Sequence, residues 1–203
     1  QVFTFNHNGN SATVIDAASN KVLATIPLAG SPEFAVSDGQ GKIYVNIEDK
    51  NSLAVIEAKS GKVLQTWSLS PGEEPSGLAF DVKNQRLFAV CSNHKMVVVD
   101  AKTGKVVQSM AIGDGPDGVV FDPGTRRIYS SNGDGTLTVI EEMTPDKYRV
   151  VTNVPTQKGA RTIALDPITH CLYLPTADRE AAVGNARPGI KAGSFVVLEV
   201  STQ

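Results

Sequence analysis

A repeated unit of about 40 residues constrains the fold of this chain more than any other feature. An Asp follows a short apolar run at Asp38, Asp81, Asp122 and Asp166, at intervals of 43, 41 and 44 residues. The runs in each unit are short and rich in Val, Ile, Tyr and Phe, which favours strands over helices. Repeats of roughly 40 to 45 residues with four strands are typical of β-propeller blades. We therefore predict an all-β fold, a β-propeller of four-stranded antiparallel blades.

The turn sequences between the runs agree with this prediction. Segments 16–21, 57–62 and 100–105 occupy the same slot of the repeat. Each places Gly or Asn where a tight hairpin requires a positive φ. Residues 132–135, Asn-Gly-Asp-Gly, are another hairpin signal.

The positions of the runs also predict the limits of the blades within one propeller domain of 203 residues. We expect a partial blade at 1–28, complete blades at 32–70, 75–112 and 116–153, and an incomplete last blade at 160–200. These units make about four and a half blades, and a propeller must close because an open end exposes strand edges. We expect the chain to be the C-terminal part of a longer, seven-bladed propeller. The alternative is an arc closed by oligomerisation, in which two copies form a homodimer.

Charge and hydropathy restrict the classes of partner. The formal net charge is −2, so the chain offers no basic field for nucleic acid. No apolar stretch reaches the roughly 18 residues that a membrane span requires. Cys91 and Cys171 occupy non-equivalent places in different units, so a disulfide is not expected. The remaining partner classes are a protein or a small polar ligand.

The second strand of each unit resembles the signature of the YVTN family of β-propeller repeat proteins. The family's Tyr-Val-Thr-Asn is closest in residues 43–46, Ile-Tyr-Val-Asn, and is weaker in 128–132 and 172–176. The turn Asp-Ala-Lys-Thr-Gly-Lys at 100–105 is also similar to the family's. The resemblance covers the whole chain and implies a bacterial, extracytoplasmic (periplasmic or secreted) protein with a binding, cell-surface or electron-transfer-associated role. A shared fold does not itself imply a function.

We predict that a ligand would bind on one loop face of the propeller. In propellers, the loop that follows the fourth strand shares a face with the loop between the second and third strands. The candidate ligand-binding residues on this face are Glu33, His94, Asp117, Arg161, Asp178 and Arg179. Charges of both signs suit a polar ligand. The alternative is a solvated loop face, and the long segment 177–192 is equally consistent with a surface insertion.

The sequence predicts no catalytic residues, no metal site and no cofactor. No nucleophile elbow, P-loop, dinucleotide fingerprint or zinc-binding spacing is present. His7 and His94 fall on the candidate face and His170 on the opposite one. Trp67, the sole Trp, is expected to pack between blades.

Three functions remain open at this stage. The first is a non-catalytic binding or scaffold protein that acts outside the cytoplasm. The second is a propeller enzyme, such as a lactonase or another metal-assisted hydrolase, which would need Glu, Asn, Asp or His side chains that converge at the central channel. The third is a structural role, in which half-propellers assemble through their open edges.

Overall fold

The computed structural model describes residues 1–181 and 188–201, and within them the chain forms five antiparallel sheets. The first sheet contains β1 (Val2–Asn6), β2 (Ser11–Ile15) and β3 (Val22–Pro27). The second contains β4 (Pro32–Ser37), β5 (Lys42–Ile47), β6 (Ser52–Glu57) and β7 (Lys62–Ser68). The third contains β8 (Pro75–Asp81), β9 (Arg86–Cys91), β10 (Lys95–Asp100) and β11 (Val106–Ala111). The fourth contains β12 (Pro116–Asp122), β13 (Arg127–Asn132), β14 (Thr136–Thr144) and β15 (Lys147–Pro155). The fifth contains β16 (Ala164–Leu165), β17 (Leu172–Thr176) and β18 (Val196–Val200).

Strands that follow one another in the chain are neighbours in every sheet, as in the blades of a propeller. β4, β8, β12 and β16 are the first strands of their sheets, and β4 contacts β8, β8 contacts β12 and β12 contacts β16. These four strands form the inner wall of the arc. The predicted all-β propeller of antiparallel blades is therefore confirmed as the fold class.

The sheets pack face to face through four apolar clusters, one at each junction. Between the second and third sheets, buried side chains such as Tyr44 and Leu53 meet Leu87 and Val97. The other three junctions have the same kind of core. The three middle sheets bury side chains from both faces, which is why their apolar runs are nearly continuous, whereas β2 and β17 in the end sheets alternate. Trp67 lies in β7 beside this core, with its ring centroid 6.0 Å from that of Tyr44.

β14 and β15 are longer than the sequence pattern indicated. The apolar runs span only 137–140 and 148–151, whereas the two strands pair from Thr136 to Thr144 and from Lys147 to Pro155. The hairpin turn at Pro145-Asp146 lets the ladder continue through the acidic residues after Ile140. This extension places Glu142 in the buried part of the sheet.

Two 3-10 turns occupy equivalent places in the first two sheets. His7–Gly9 follows β1 and Glu48–Lys50 follows β5, and each turn ends at an Asn in the left-handed conformation. Within residues 1–181 and 188–201, no helix combines the length and hydropathy that crossing a bilayer requires.

Candidate functional site

Two sets of loops meet on one face of the arc, which we call the site face. In the first four sheets, the first residue after the last strand donates its backbone N–H to a backbone carbonyl oxygen. That carbonyl lies in the loop between the second and third strands of a blade, which is the β1–β2 loop in the first sheet. These N–H···O pairs are Leu28 to Asn10, Leu69 to Asn51, Ile112 to His94 and Thr156 to Gly135, with N–O distances of 2.7 to 3.0 Å. The repeated bond holds the two loop sets together, so side chains from both can act on one ligand.

A cavity of about 510 Å³ opens along the inner strands β4, β8 and β12 and the segment 162–165. Its walls are mostly apolar side chains and backbone. Four polar side chains line it near the site face: Glu33, Ser76, Asp117 and Thr162. A mostly apolar cavity with a few polar groups is the usual form of a small-molecule site.

Two polar side chains of the cavity lining, Ser76 and Asp117, contact residues of the neighbouring sheets. The Ser76 hydroxyl donates to the carbonyl oxygen of Pro116 at 2.9 Å. Asp117 Oδ2 lies 3.4 Å from Nε of Arg161, so the structure brings these two predicted residues together. Arg161 itself stands beside the cavity, and its neighbour Thr162 takes the corresponding place in the lining. The lining thus carries the carboxylates of Glu33 and Asp117, with one nearby guanidinium.

His7, Glu33 and Glu48 form a second group on the site face. His7 Nδ1 lies 2.9 Å from Oε1 of Glu33, and His7 Nε2 lies 3.7 Å from Oε2 of Glu48. One donor atom from each of the three side chains falls within 4.8 Å of the others, which would allow a metal ion to be held. Burial and the neighbouring Glu33 charge raise the pKa of Glu48, while His7 acts in the opposite direction.

The other three predicted residues, His94, Asp178 and Arg179, do not line this cavity. His94 pairs through Nδ1 with Asp114 at 3.4 Å, and both side chains are well exposed. Asp178 and Arg179 line a separate cavity of about 660 Å³, together with Lys158 and Lys191. Asp178 accepts a hydrogen bond from Gln157 at 2.8 Å. Arg187, which the sequence places in the same long loop, lies outside the described residues.

The sequence places His7 on the candidate face, but neither His7 nor Glu48 was selected as a site residue. A signal was present in the repeat itself, because each is the first residue of a 3-10 turn in the same slot of adjacent sheets. In the fourth sheet this slot holds Gly133. The pairing with Glu33 depends on side-chain conformation, which the repeat does not encode.

Comparisons with known proteins support the fold and leave the family open. No family model matches the chain, and no curated protein matches its sequence. The chain is similar to a solved chain of Kuenenia stuttgartiensis hydrazine synthase, with a TM-score of 0.80 and 21% identity, covering 99% of this chain and 59% of that one. The chain therefore spans about three fifths of the length of that protein chain. A likeness at this identity shows the propeller fold alone, and membership of the YVTN family stays a prediction.

Proposed function

We propose that the chain is a non-catalytic binding module that takes a small polar ligand at the site-face end of its inner cavity. One observation carries the proposal: apolar inner strands enclose about 510 Å³, with Glu33 and Asp117 among the side chains that line it. Carboxylates accept hydrogen bonds and attract positive charge. The preferred ligand is accordingly a small molecule with amino groups or several hydroxyl donors, and an apolar part that fits the wall.

The surroundings of the Ser76 hydroxyl in the cavity lining favour binding over covalent catalysis. A nucleophilic Ser needs a base within hydrogen-bond reach. Ser76 Oγ instead contacts two carbonyl oxygens, of Pro116 at 2.9 Å and of Val90 at 3.4 Å. Within the described residues, the cavity lining includes no His, Lys or Cys that could serve as its base.

The test is a titration with three chemical classes of probe, followed by backbone amide NMR. Putrescine represents amines, glucose represents polyols and citrate represents polyanions. We expect saturable shifts at the amides of Ser76, Asp117 and Thr162 with an amine or a polyol, and none with citrate. Asp117→Asn should weaken binding several-fold, whereas Glu57→Gln, at the end of β6 on the opposite face, should leave it unchanged. Equal binding by the Asp117→Asn variant, or no saturable shift with any probe, would reject the proposal.

A second candidate function is self-association through open strand edges. β1 in the first sheet and β18 in the last each pair on one side only among the described strands. Val2 in β1 is 49% exposed and Val197 in β18 is 52% exposed, and such edges are templates for pairing with another chain. Light scattering after size exclusion should then show a homodimer, which Val197→Lys should dissociate. A monomer at all accessible concentrations would rule this function out.

We also propose that the protein acts outside the cytoplasm of a bacterium. The support is the resemblance of the second strands, such as 43–46, and of the 100–105 turn to YVTN repeats. Fractionation of the cells that produce the protein, with a cytoplasmic marker enzyme as control, tests this location. Recovery with the cytoplasmic marker would contradict it.

A further inference from the structure

The His7, Glu33 and Glu48 side chains reach one point from two 3-10 turns and the start of one strand, in two adjacent sheets. His7 and Glu48 each begin a 3-10 turn in equivalent places, and Glu33 lies at the start of β4 between them. Their side chains are between one third and one half exposed, at 44%, 36% and 33%. The group is therefore accessible from the site face and has room to adjust around an ion.

In its neutral form, the His7 ring leaves one of its two contacts unsatisfied. A neutral imidazole has one N–H donor and one lone-pair acceptor. Nδ1 lies at hydrogen-bond distance from Glu33, so its proton is directed to that carboxylate. Nε2 then presents its lone pair toward the Glu48 carboxylate at 3.7 Å, which places two acceptors face to face. That separation is too long for a hydrogen bond and somewhat longer than the roughly 3.3 Å between neighbouring ligands of a tetrahedral zinc ion.

The group carries an excess of negative charge, which a bound cation would neutralise. Two carboxylates face one imidazole, and neither Glu33 nor Glu48 forms an ion pair with Lys or Arg within the described part of the chain. The adjacent Asp49 is already engaged, because its Oδ1 accepts from the Ser31 N–H at 2.7 Å and its Oδ2 pairs with Lys50 at 2.8 Å. Asp49 therefore stabilises the loop, and the negative charge that no Lys or Arg balances is that of Glu33 and Glu48.

We propose that His7, Glu33 and Glu48 bind a divalent cation of the Zn²⁺ class on the site face. An imidazole with two carboxylates suits zinc better than the all-oxygen sets that calcium and magnesium prefer. Three protein ligands would leave at least one coordination position for water or a ligand, as in zinc sites that are not purely structural. This site shares Glu33 with the inner cavity, but zinc binding by the group requires no ligand in that cavity.

The test uses the full chain without an affinity tag, stripped with a chelator and titrated with zinc sulfate by calorimetry. We expect one saturable zinc per chain. His7→Ala and Glu48→Gln should each weaken zinc binding by more than about tenfold, since even outer-shell partners cost tenfold or more. Substitution with Co²⁺ should give visible absorption bands that the His7→Ala variant lacks. Circular dichroism on each variant checks that it remains folded.

Two variants serve as matched controls. His94 lies in the corresponding loop of the third sheet and forms an ion pair with Asp114 at 3.4 Å, but among the described residues it belongs to no group of three metal-ligating side chains, so His94→Ala should leave zinc binding unchanged. Cys171→Ser removes the more exposed thiol and should also leave it unchanged. The proposal is overturned if no saturable zinc binding occurs, or if His94→Ala or Cys171→Ser weakens it as much as His7→Ala. It is also overturned if Ca²⁺ binds as tightly as zinc and His7→Ala has no effect.

Discussion

His170, in the turn between β16 and β17, lies 2.9 Å through its Nδ1 from Oδ2 of Asp122, which ends β12 in the preceding sheet. Asp122 is fully buried and also accepts hydrogen bonds from the Gly124 N–H and the Thr125 hydroxyl. A residue of the sequence repeat therefore joins two adjacent sheets as well as closing its own turn.

We expect Asp122→Asn to lower the free energy of unfolding by about 2 to 4 kcal/mol, because an amide replaces a buried carboxylate with three donors around it. Asp38 occupies the same position of the repeat, and among the described residues its carboxylate accepts hydrogen bonds from the exposed turn N–H groups of Gln40 and Lys42 alone. Asp38→Asn should therefore cost no more than about 1 kcal/mol. Urea unfolding at neutral pH measures both. Equal losses for the two variants would show that the contact between sheets adds nothing.

The same carboxylate predicts a pH dependence. Burial opposes ionisation of Asp122, but the bonds from Thr125 and Gly124 and the charge of His170 outweigh it and hold the pKa below its usual value. A carboxyl group whose folded pKa is depressed contributes stability above its unfolded pKa of about 3.9 and loses it as the pH falls through the folded value. The stability difference between wild type and Asp122→Asn should thus shrink as the pH falls below about 4. A difference that persists unchanged at pH 2 would contradict this assignment.

Glu142 predicts a substitution that increases stability. The residue is 2% exposed, and its Oε1 accepts a hydrogen bond from Asn84 at 2.9 Å. Its Oε2 has no partner among the described residues, and burial together with the Asp81 charge raises the pKa of the Glu142 carboxyl. A carboxyl group with a raised folded pKa stabilises the fold below its unfolded pKa, and this contribution is lost as the pH rises through the folded value. Glu142→Gln keeps the acceptor for Asn84 and removes the charge.

We expect Glu142→Gln to raise the free energy of unfolding by about 1 to 2 kcal/mol at pH 7 and to have little effect near pH 4. Glu141 is the matched control, because it is adjacent in β14 and forms an exposed ion pair with Arg149. Glu141→Gln should change stability by less than about 0.5 kcal/mol. If Glu142→Gln lowers the free energy of unfolding at pH 7, the charge of the Glu142 carboxylate stabilises the fold, contrary to this prediction.

The propeller fold could be predicted from the sequence because the information is local and repeated. The hairpin turns contain residues with positive φ, such as Gly61 and Gly104, and the strands are short apolar runs. The turn residues therefore mark where each strand begins and ends. The same reasoning underestimated β14, since a strand that continues through Glu142 shows no apolar pattern there. The loops that share the site face followed from the topology of a propeller.

The grouping of side chains on the site face could be predicted only in part. That His7 and Glu48 share a slot is visible in the repeat, but their convergence on Glu33 requires the spacing between adjacent sheets. Similarly, Asp117 and Arg161 were expected on one face, whereas their 3.4 Å contact depends on the packing of the fourth and fifth sheets. Residue types at repeated positions determine which groups are available, and the packing of the sheets determines which of them meet.

Gly104 and Gly39 provide a direct test of packing between sheets. Both have positive φ, +73° and +67°, so alanine at either position bears the cost of the left-handed conformation, about 1 to 2 kcal/mol. A Cβ on Gly104, in the β10–β11 turn, would overlap the indole ring of Trp67 in the preceding sheet, whereas a Cβ on Gly39 would meet nothing within 4 Å. Gly104→Ala should therefore destabilise the protein by a further 1 to 3 kcal/mol, roughly the cost of overpacking a core. Trp67 is the sole Trp, so its fluorescence reports the displacement: the emission should change in Gly104→Ala and stay unchanged in Gly39→Ala. Similar stabilities and spectra for the two variants would show that the indole does not pack against this turn.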